Sequence, residues 1–171
     1  MHTLESDLAL QDPKRMSTPT TTRPAFGTVL ADQMAIAKFS HGRWSEHEIR
    51  PTGPIEIHPA AHVLHYASEC FEGFKAYRWA DGSIHVFRMD KHIERMRQSA
   101  RLLVLPEPDA KQLATMVLAT IDRVRDQVPE PPGALYMRPM LYGTMPNIGA
   151  APAPSNEATL IVLASPVWDY F

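Results

Sequence analysis

Hydrophobic positions change period along this chain. In residues 74–87 they alternate with polar ones, and in residues 90–124 they recur every third or fourth position. The first pattern predicts a β-hairpin, with Phe74–Trp79 and Ser83–Phe87 flanking the Asp81-Gly82 turn signal. The second predicts two consecutive amphipathic helices. One carries Ile93, Met96, Ala100 and Leu103 behind a capping Asp90 and ends before Pro106. The other starts at Asp109, carries Leu113, Val117, Ile121 and Val124, and closes before Pro129.

Strand patterns lie on either side of these helices. Thr28–Phe39 reads as extended structure, Ser40–Arg43 as a turn before Trp44, and Ile55-Glu56-Ile57 as a short edge strand among Pro51, Pro54 and Pro59. Ala134–Thr144 is a further strand. A Pro-rich loop over 145–157 then leads to the strongly apolar Ala158–Ser165. Strands, two helices and strands again predict an α+β fold, an antiparallel sheet with both helices on one face. Residues 1–24 are rich in Thr and Pro without apolar periodicity and are expected to form a disordered leader, with one domain over 25–171. The last residues, Trp168-Asp169-Tyr170-Phe171, follow an apolar strand with no polar tail, an ending that reads as a cut or as a surface for a partner.

Composition narrows the classes of partner. The chain has 171 residues, 17 basic and 19 acidic, for a net charge of -2. With the charges mixed along it, nothing marks a nucleic-acid surface, and a small molecule or a protein is the expected partner. The single cysteine, Cys70, excludes an internal disulfide, and no CxxC pair points to zinc. Glu5, Asp7 and Asp12 stand where a secretory peptide needs a basic start, and no stretch approaches the ~20 apolar residues of a membrane span. A cytoplasmic, non-membrane protein is expected. His58, His62 and His65 have spacings that could converge on a metal along one helix, but Pro59 interrupts that helix and no carboxylate or thiol completes the set, so no metal is expected.

Among candidate side chains, Arg138 is the most unusual, because a charge within an apolar strand needs a partner. Taken alone, Arg95 beside an apolar helix face would be a solvated or snorkelling residue, and Tyr66 and Phe71 would be core aromatics. Glu72 reads as a structural hydrogen-bonding group and not an acid catalyst.

Taken together in order, the following residues resemble the amino-terminal half of the branched-chain amino acid aminotransferases: Phe26-Gly27, Leu64-His65-Tyr66-Ala67, Cys70–Arg78, Phe87-Arg88, Glu94-Arg95-Met96, Ser99-Ala100, Leu105-Pro106, Leu135–Pro139 and Ser165-Pro166-Val167. The resemblance covers about residues 26–171. It implies a fold-type IV pyridoxal 5'-phosphate enzyme, a homodimer, that interconverts leucine, isoleucine or valine and their 2-oxo acids with 2-oxoglutarate and glutamate as the other pair. It further implies that Arg95 binds the cofactor phosphate. Tyr66, Phe71, Tyr136 and Arg138, with Phe26, are implied to line the substrate pocket, and Tyr66, Tyr136 and Arg138 to reach the neighbouring subunit's site.

The resemblance puts the lysine that forms the Schiff base beyond Phe171, in a carboxy-terminal half that is absent or supplied as a separate chain. Of the chain's own lysines, Lys14 lies in the leader, Lys91 and Lys111 at helix starts, and Lys75 in a strand. Two other readings stay open. One is a non-catalytic remnant acting as a dimerisation module. The other is a different fold-type IV enzyme, a D-amino acid aminotransferase or aminodeoxychorismate lyase, against which the phrase Phe71–Arg78 favours the branched-chain group.

Overall fold

The computed structural model describes residues 23–149 and 153–168. The expected leader, apart from Arg23 and Pro24, and the last three residues lie outside them. The elements are β1 (Gln33–Ser40), β2 (Arg43–Trp44), β3 (Glu48–Pro51), α1 (His62–Tyr66), β4 (Glu69–Phe71), β5 (Phe74–Arg78), β6 (Ile84–Val86), α2 (Met89–Leu102), α3 (Ala110–Arg123), β7 (Ala134–Gly143) and β8 (Ala158–Val167). All strand pairs are antiparallel, in the order β2-β1-β8-β7-β5-β6, with β3 also on β1 and β4 also on β7. The α+β architecture is as the periodicity predicts.

Side-chain alternation gives each strand two destinations. Ala35 and Ala37 of β1, Phe74 and Ala76 of β5, Leu135, Met137 and Leu141 of β7, and Leu160, Val162 and Ala164 of β8 share one core with α2 and α3. The helices contribute Ile93, Met96 and Ala100 from α2, and Leu113, Met116, Val117 and Ile121 from α3. On the opposite face Met34, Ile36, Tyr142 and Ile161 form a smaller cluster, with Ile55, Val63, Met140 and Leu163 packed against it. Tyr136 and Arg138 follow the same alternation as Met140 and Tyr142, so they stand on the face away from the helices.

Three local expectations are corrected. Arg88 rather than Asp90 occupies the cap position of α2, with a left-handed backbone (φ 49°) and no side-chain cap bond. The chain turns sharply out of β6, so Asp90 falls inside the first helical turn, where its carboxylate faces the positive end of the helix dipole. Leu103 lies past the last turn of α2 and is 46% exposed, because the helix closes at Leu102. Ile55-Glu56-Ile57 forms no strand. The strand pairing on β1 comes earlier, at Glu48–Pro51, and Ile55 serves the small cluster instead. By contrast, Asp109 caps α3 as expected, accepting a hydrogen bond from the Gln112 amide at 2.8 Å.

The edge of β7 facing β4 and β5 is interrupted. Leu135–Met137 pairs with β5 and Met140–Tyr142 with β4, leaving Arg138-Pro139 opposite Glu72-Gly73. The Pro139 carbonyl accepts from the Glu72 amide at 2.9 Å, so the proline nitrogen, which carries no hydrogen, also faces this gap. A mid-sheet proline is tolerated because the ladder breaks where its donor is missing. The break forms a notch, with Phe71 leading into it and Arg138 across from it.

Candidate functional site

On the open face the β7–β8 register sets Tyr136 beside Ser165 and Arg138 beside Leu163. The segment before β1 folds over these four residues. The Ser165 hydroxyl donates to the Val29 carbonyl at 2.6 Å, and the Ala31 amide donates to the Ala164 carbonyl at 2.8 Å. These bonds lay Phe26 edge-on against Tyr136, ring centroids 4.9 Å apart. The result is a cleft of about 320 Å³ lined by Phe26, Gly27, Leu30, Tyr136, Arg138, Leu163, Ala164 and Ser165, large enough for a small metabolite.

Arg138 is fixed within it from two directions. Its Nε and Nη2 donate to the Tyr136 hydroxyl at 3.1 and 2.7 Å, and its Cζ lies 4.2 Å from the centroid of the Phe71 ring. No carboxylate neutralises it among the described residues. The charge is balanced only by an aromatic face and a hydroxyl, so an incoming anion gains most of the available electrostatic energy. With two donors directed at it, the Tyr136 oxygen has its acceptor positions filled, and its own proton is left to donate.

Gly73 makes this arrangement possible. A Cβ at that position would lie 2.2 Å from the Tyr136 hydroxyl oxygen and 2.9 Å from Cζ. Gly73→Ala is therefore expected to displace the Tyr136 ring and cost about 1–3 kcal/mol of stability. Urea unfolding checks the energy. A lowered ring-current shift on Phe26 in NMR spectra checks the displacement, and an unmoved Tyr136 would contradict it.

The structure brings Phe26, Phe71, Tyr136 and Arg138 together; Arg95 and Tyr66 stand apart. Arg95 projects from α2, where Nε and Nη2 each lie 2.5 Å from an oxygen of the buried Glu72 carboxylate. That carboxylate raises the Arg95 pKa above its ordinary value, through the hydrogen bond first and the charge second. Arg95 thus joins the cleft only through the Phe71-Glu72-Gly73 segment. Tyr66 donates its hydroxyl to the Ile148 carbonyl and packs at a tilt against His62, at the far end of β7. Arg97 and Arg101 both pair with Glu107 at 2.5 Å and tie α2 to the link before α3.

The three histidines have separate partners. His58 Nδ1 accepts from the Ala60 amide, His62 Nδ1 meets Ser68 Oγ at 2.8 Å, and His65 Nε2 meets the Pro59 carbonyl. Among the described residues no three His, Cys, Asp or Glu side chains are placed to hold a metal ion. No helix of the described residues is long and apolar enough to cross a membrane.

Leu30 and Leu163 were not singled out by the sequence, and Ser165 only as part of the family resemblance, with no role at the site. Residues 163 and 165 share a face by strand alternation, but only the β7–β8 register places that face beside Tyr136 and Arg138.

Cys70 is 8% exposed, and its thiol is pushed up to about 11 by burial, with the Glu72 and Glu69 charges adding to the effect. A thiol's reactive form is the thiolate, so iodoacetamide at pH 8 should label the native protein at least roughly a hundredfold more slowly than the urea-unfolded chain. Equal rates would contradict this burial.

The family model described as amino-transferase class IV matches residues 69–168, more than half of the chain, and the chain belongs to that family. Its curated relatives include the branched-chain-amino-acid aminotransferase of Mycobacterium tuberculosis (strain CDC 1551 / Oshkosh), 44% identical over 153 residues, covering 86% of this chain and 40% of that protein. The cytosolic branched-chain-amino-acid aminotransferase of Mus musculus is 41% identical over 148 residues, covering 85% and 38%.

Among solved structures, the branched-chain aminotransferase of Thermoproteus uzoniensis with norvaline aligns with a TM-score of 0.62 at 26% identity, covering 81% of this chain and 42% of that one. The Escherichia coli branched-chain amino acid aminotransferase has a TM-score of 0.63 at 23% identity, a likeness of fold, covering 82% and 41%. The chain spans about 40% of the length of the M. tuberculosis relative.

Proposed function

We propose that this chain is the amino-terminal, substrate-facing domain, residues 25–171, of an enzyme that transfers the amino group of leucine, isoleucine or valine to 2-oxoglutarate, giving the branched 2-oxo acid and glutamate. The observation that carries the reading is Arg138, whose guanidinium is held by Phe71 and Tyr136 with no carboxylate partner among the described residues, at the wall of an apolar cleft. Every substrate of this reaction is a carboxylate. A planar guanidinium suits that group better than an ammonium would.

In this reading Arg138 and the Tyr136 hydroxyl grip a substrate carboxylate, while Phe26, Leu30 and Leu163 exclude water from a branched side chain. Each additional buried methylene contributes only about 0.8 kcal/mol, so leucine, isoleucine and valine should all be accepted. Tyr66 acts from α1, anchored by Ile148. The exposed faces of Phe26, Leu30 and Phe71 suit a homodimer in which Tyr66, Tyr136 and Arg138 serve the neighbouring subunit's site. The protein is cytoplasmic in this reading.

The residues also suit pyridoxal 5'-phosphate in one respect. The Arg95 side chain is 60% exposed, and Glu72 and His92 engage only Nε and Nη2, leaving the two Nη1 donors for a phosphate. When bound, the cofactor supplies the electron sink that lets an amino acid release its α-proton and amino group. We assign the reacting lysine to the part of the family's length that the matched segment does not span. Lys91 pairs with Glu94 on the surface, and Lys75 stands opposite Tyr136 on β5.

The test is to supply this chain with the carboxy-terminal part that carries the lysine, as one polypeptide or as two, add pyridoxal 5'-phosphate, L-leucine and 2-oxoglutarate, and measure glutamate and 4-methyl-2-oxopentanoate. Equal amounts of both are expected. A D-amino acid turned over in preference to L-leucine would favour another enzyme of the same fold.

A further inference from the structure

The pairing of Glu72 with Arg95 is asymmetric. The acid is 5% exposed while the arginine side chain is 60% exposed. The acid therefore carries a desolvation cost that a bridge lying wholly at the surface would avoid. Here the acid is sunk in the notch between β4 and β5, its amide bonded to the Pro139 carbonyl. From there its two oxygens take Nε and Nη2 of Arg95 side by side, both at 2.5 Å. The geometry fixes a planar group in position and orientation.

A third group closes the arrangement. His92, one helical turn before Arg95, stacks on Phe74 with centroids 4.8 Å apart and holds Nδ1 3.4 Å from both Glu72 Oε2 and Arg95 Nη2. It borders the same carboxylate oxygen, Oε2, that Arg95 Nη2 engages. The Arg95 side chain is 60% exposed, and its Nη1 makes no hydrogen bond among the described residues, which leaves that outward edge open to an anion.

We propose that Glu72 is a positioning residue for the cofactor phosphate: held in the notch, its carboxylate orients the Arg95 guanidinium so that the outward edge receives the phosphate. This rests on the reading that Arg95 contacts pyridoxal 5'-phosphate. The carboxylate lowers the net positive charge near the anion, and its benefit is the immobilisation of a long, exposed side chain that would otherwise sample many rotamers.

The test compares dissociation constants for pyridoxal 5'-phosphate and for pyridoxal, which lacks the phosphate, in the unmodified protein and its variants. The pyridoxal constant divided by the pyridoxal 5'-phosphate constant isolates the phosphate contact. Arg95→Ala is expected to lower the ratio roughly tenfold or more. Glu72→Gln should lower it roughly tenfold while changing pyridoxal affinity by less than about twofold, and should add nothing in the Arg95→Ala background. Glu72→Asp, which keeps the buried charge but shortens its reach, should fall between the two and serves if Glu72→Gln does not fold.

An unchanged ratio in Arg95→Ala overturns the cofactor reading and this inference with it. A ratio lowered by Arg95→Ala but left intact or raised by the Glu72 variants overturns the inference alone. Equal losses for both ligands in the Glu72 variants, the mark of a merely structural bridge, do the same.

Discussion

Replacing Arg138 by alanine is expected to weaken the hold on both amino-acid and 2-oxo-acid substrates by about 2–4 kcal/mol, roughly thirty- to a thousandfold in KM. Two losses combine. The charge-assisted contact to the substrate carboxylate disappears, and the Tyr136 hydroxyl loses both of its donors, at 3.1 and 2.7 Å. Arg138→Lys should recover only part of the loss. An ammonium keeps the charge but cannot hold Tyr136 through two parallel donors while lying over the Phe71 ring. Kinetics of the complete two-part enzyme with L-leucine and 2-oxoglutarate would separate the outcomes, and an unchanged KM for both in Arg138→Ala would remove the residue from the site.

Leu135→Ala is expected to destabilise the fold by about 2–5 kcal/mol, a large part of the 5–15 kcal/mol typical of a folded domain. Leu135 is fully buried on β7, the strand that pairs with β4, β5 and β8, and its side chain lies in the core shared with α2 and α3. Relaxation there would have to move the sheet or the helices, so a cavity persists. Urea unfolding should show a lower midpoint with an unchanged slope. Because Leu135 faces away from Tyr136 and Arg138, substrate affinity of the folded fraction should change little.

Those two substitutions separate the faces of one strand, and the same separation governs what was readable in advance. Period-two alternation around Asp81-Gly82 and the three-to-four spacing behind Asp109 are local signals, and both describe the elements found. The start of α2 depended on something sequence conceals, a left-handed Arg88 that moves Asp90 into the first turn. Likewise three prolines around Ile55 suggested an edge strand, whereas the pairing fell at Glu48–Pro51 because register along β1 is a non-local property.

The site divides in a similar way. Phe71, Tyr136 and Arg138 stood out through the resemblance and through the anomaly of a charge in an apolar strand. Leu30 and Leu163, and a site position for Ser165, entered only with the β7–β8 register and the two hydrogen bonds that fasten the segment before β1. Glu72 was read as a hydrogen-bonding group. Its partner, Arg95, is 23 residues away, a pairing that no local pattern reveals.

In the proposed reading the cleft beneath Phe26 receives a carboxylate at Arg138 and an apolar branched tail beside it. Titrating the isotope-labelled protein with 4-methylvalerate, which has both features and no reacting group, tests this directly by NMR. Concerted, saturable shifts of the Arg138 Nε–H and of the Leu30 and Leu163 methyls are expected. Saturable shifts confined to another surface, such as the groove between α2 and α3, or no shift at Arg138 at any concentration, would contradict it.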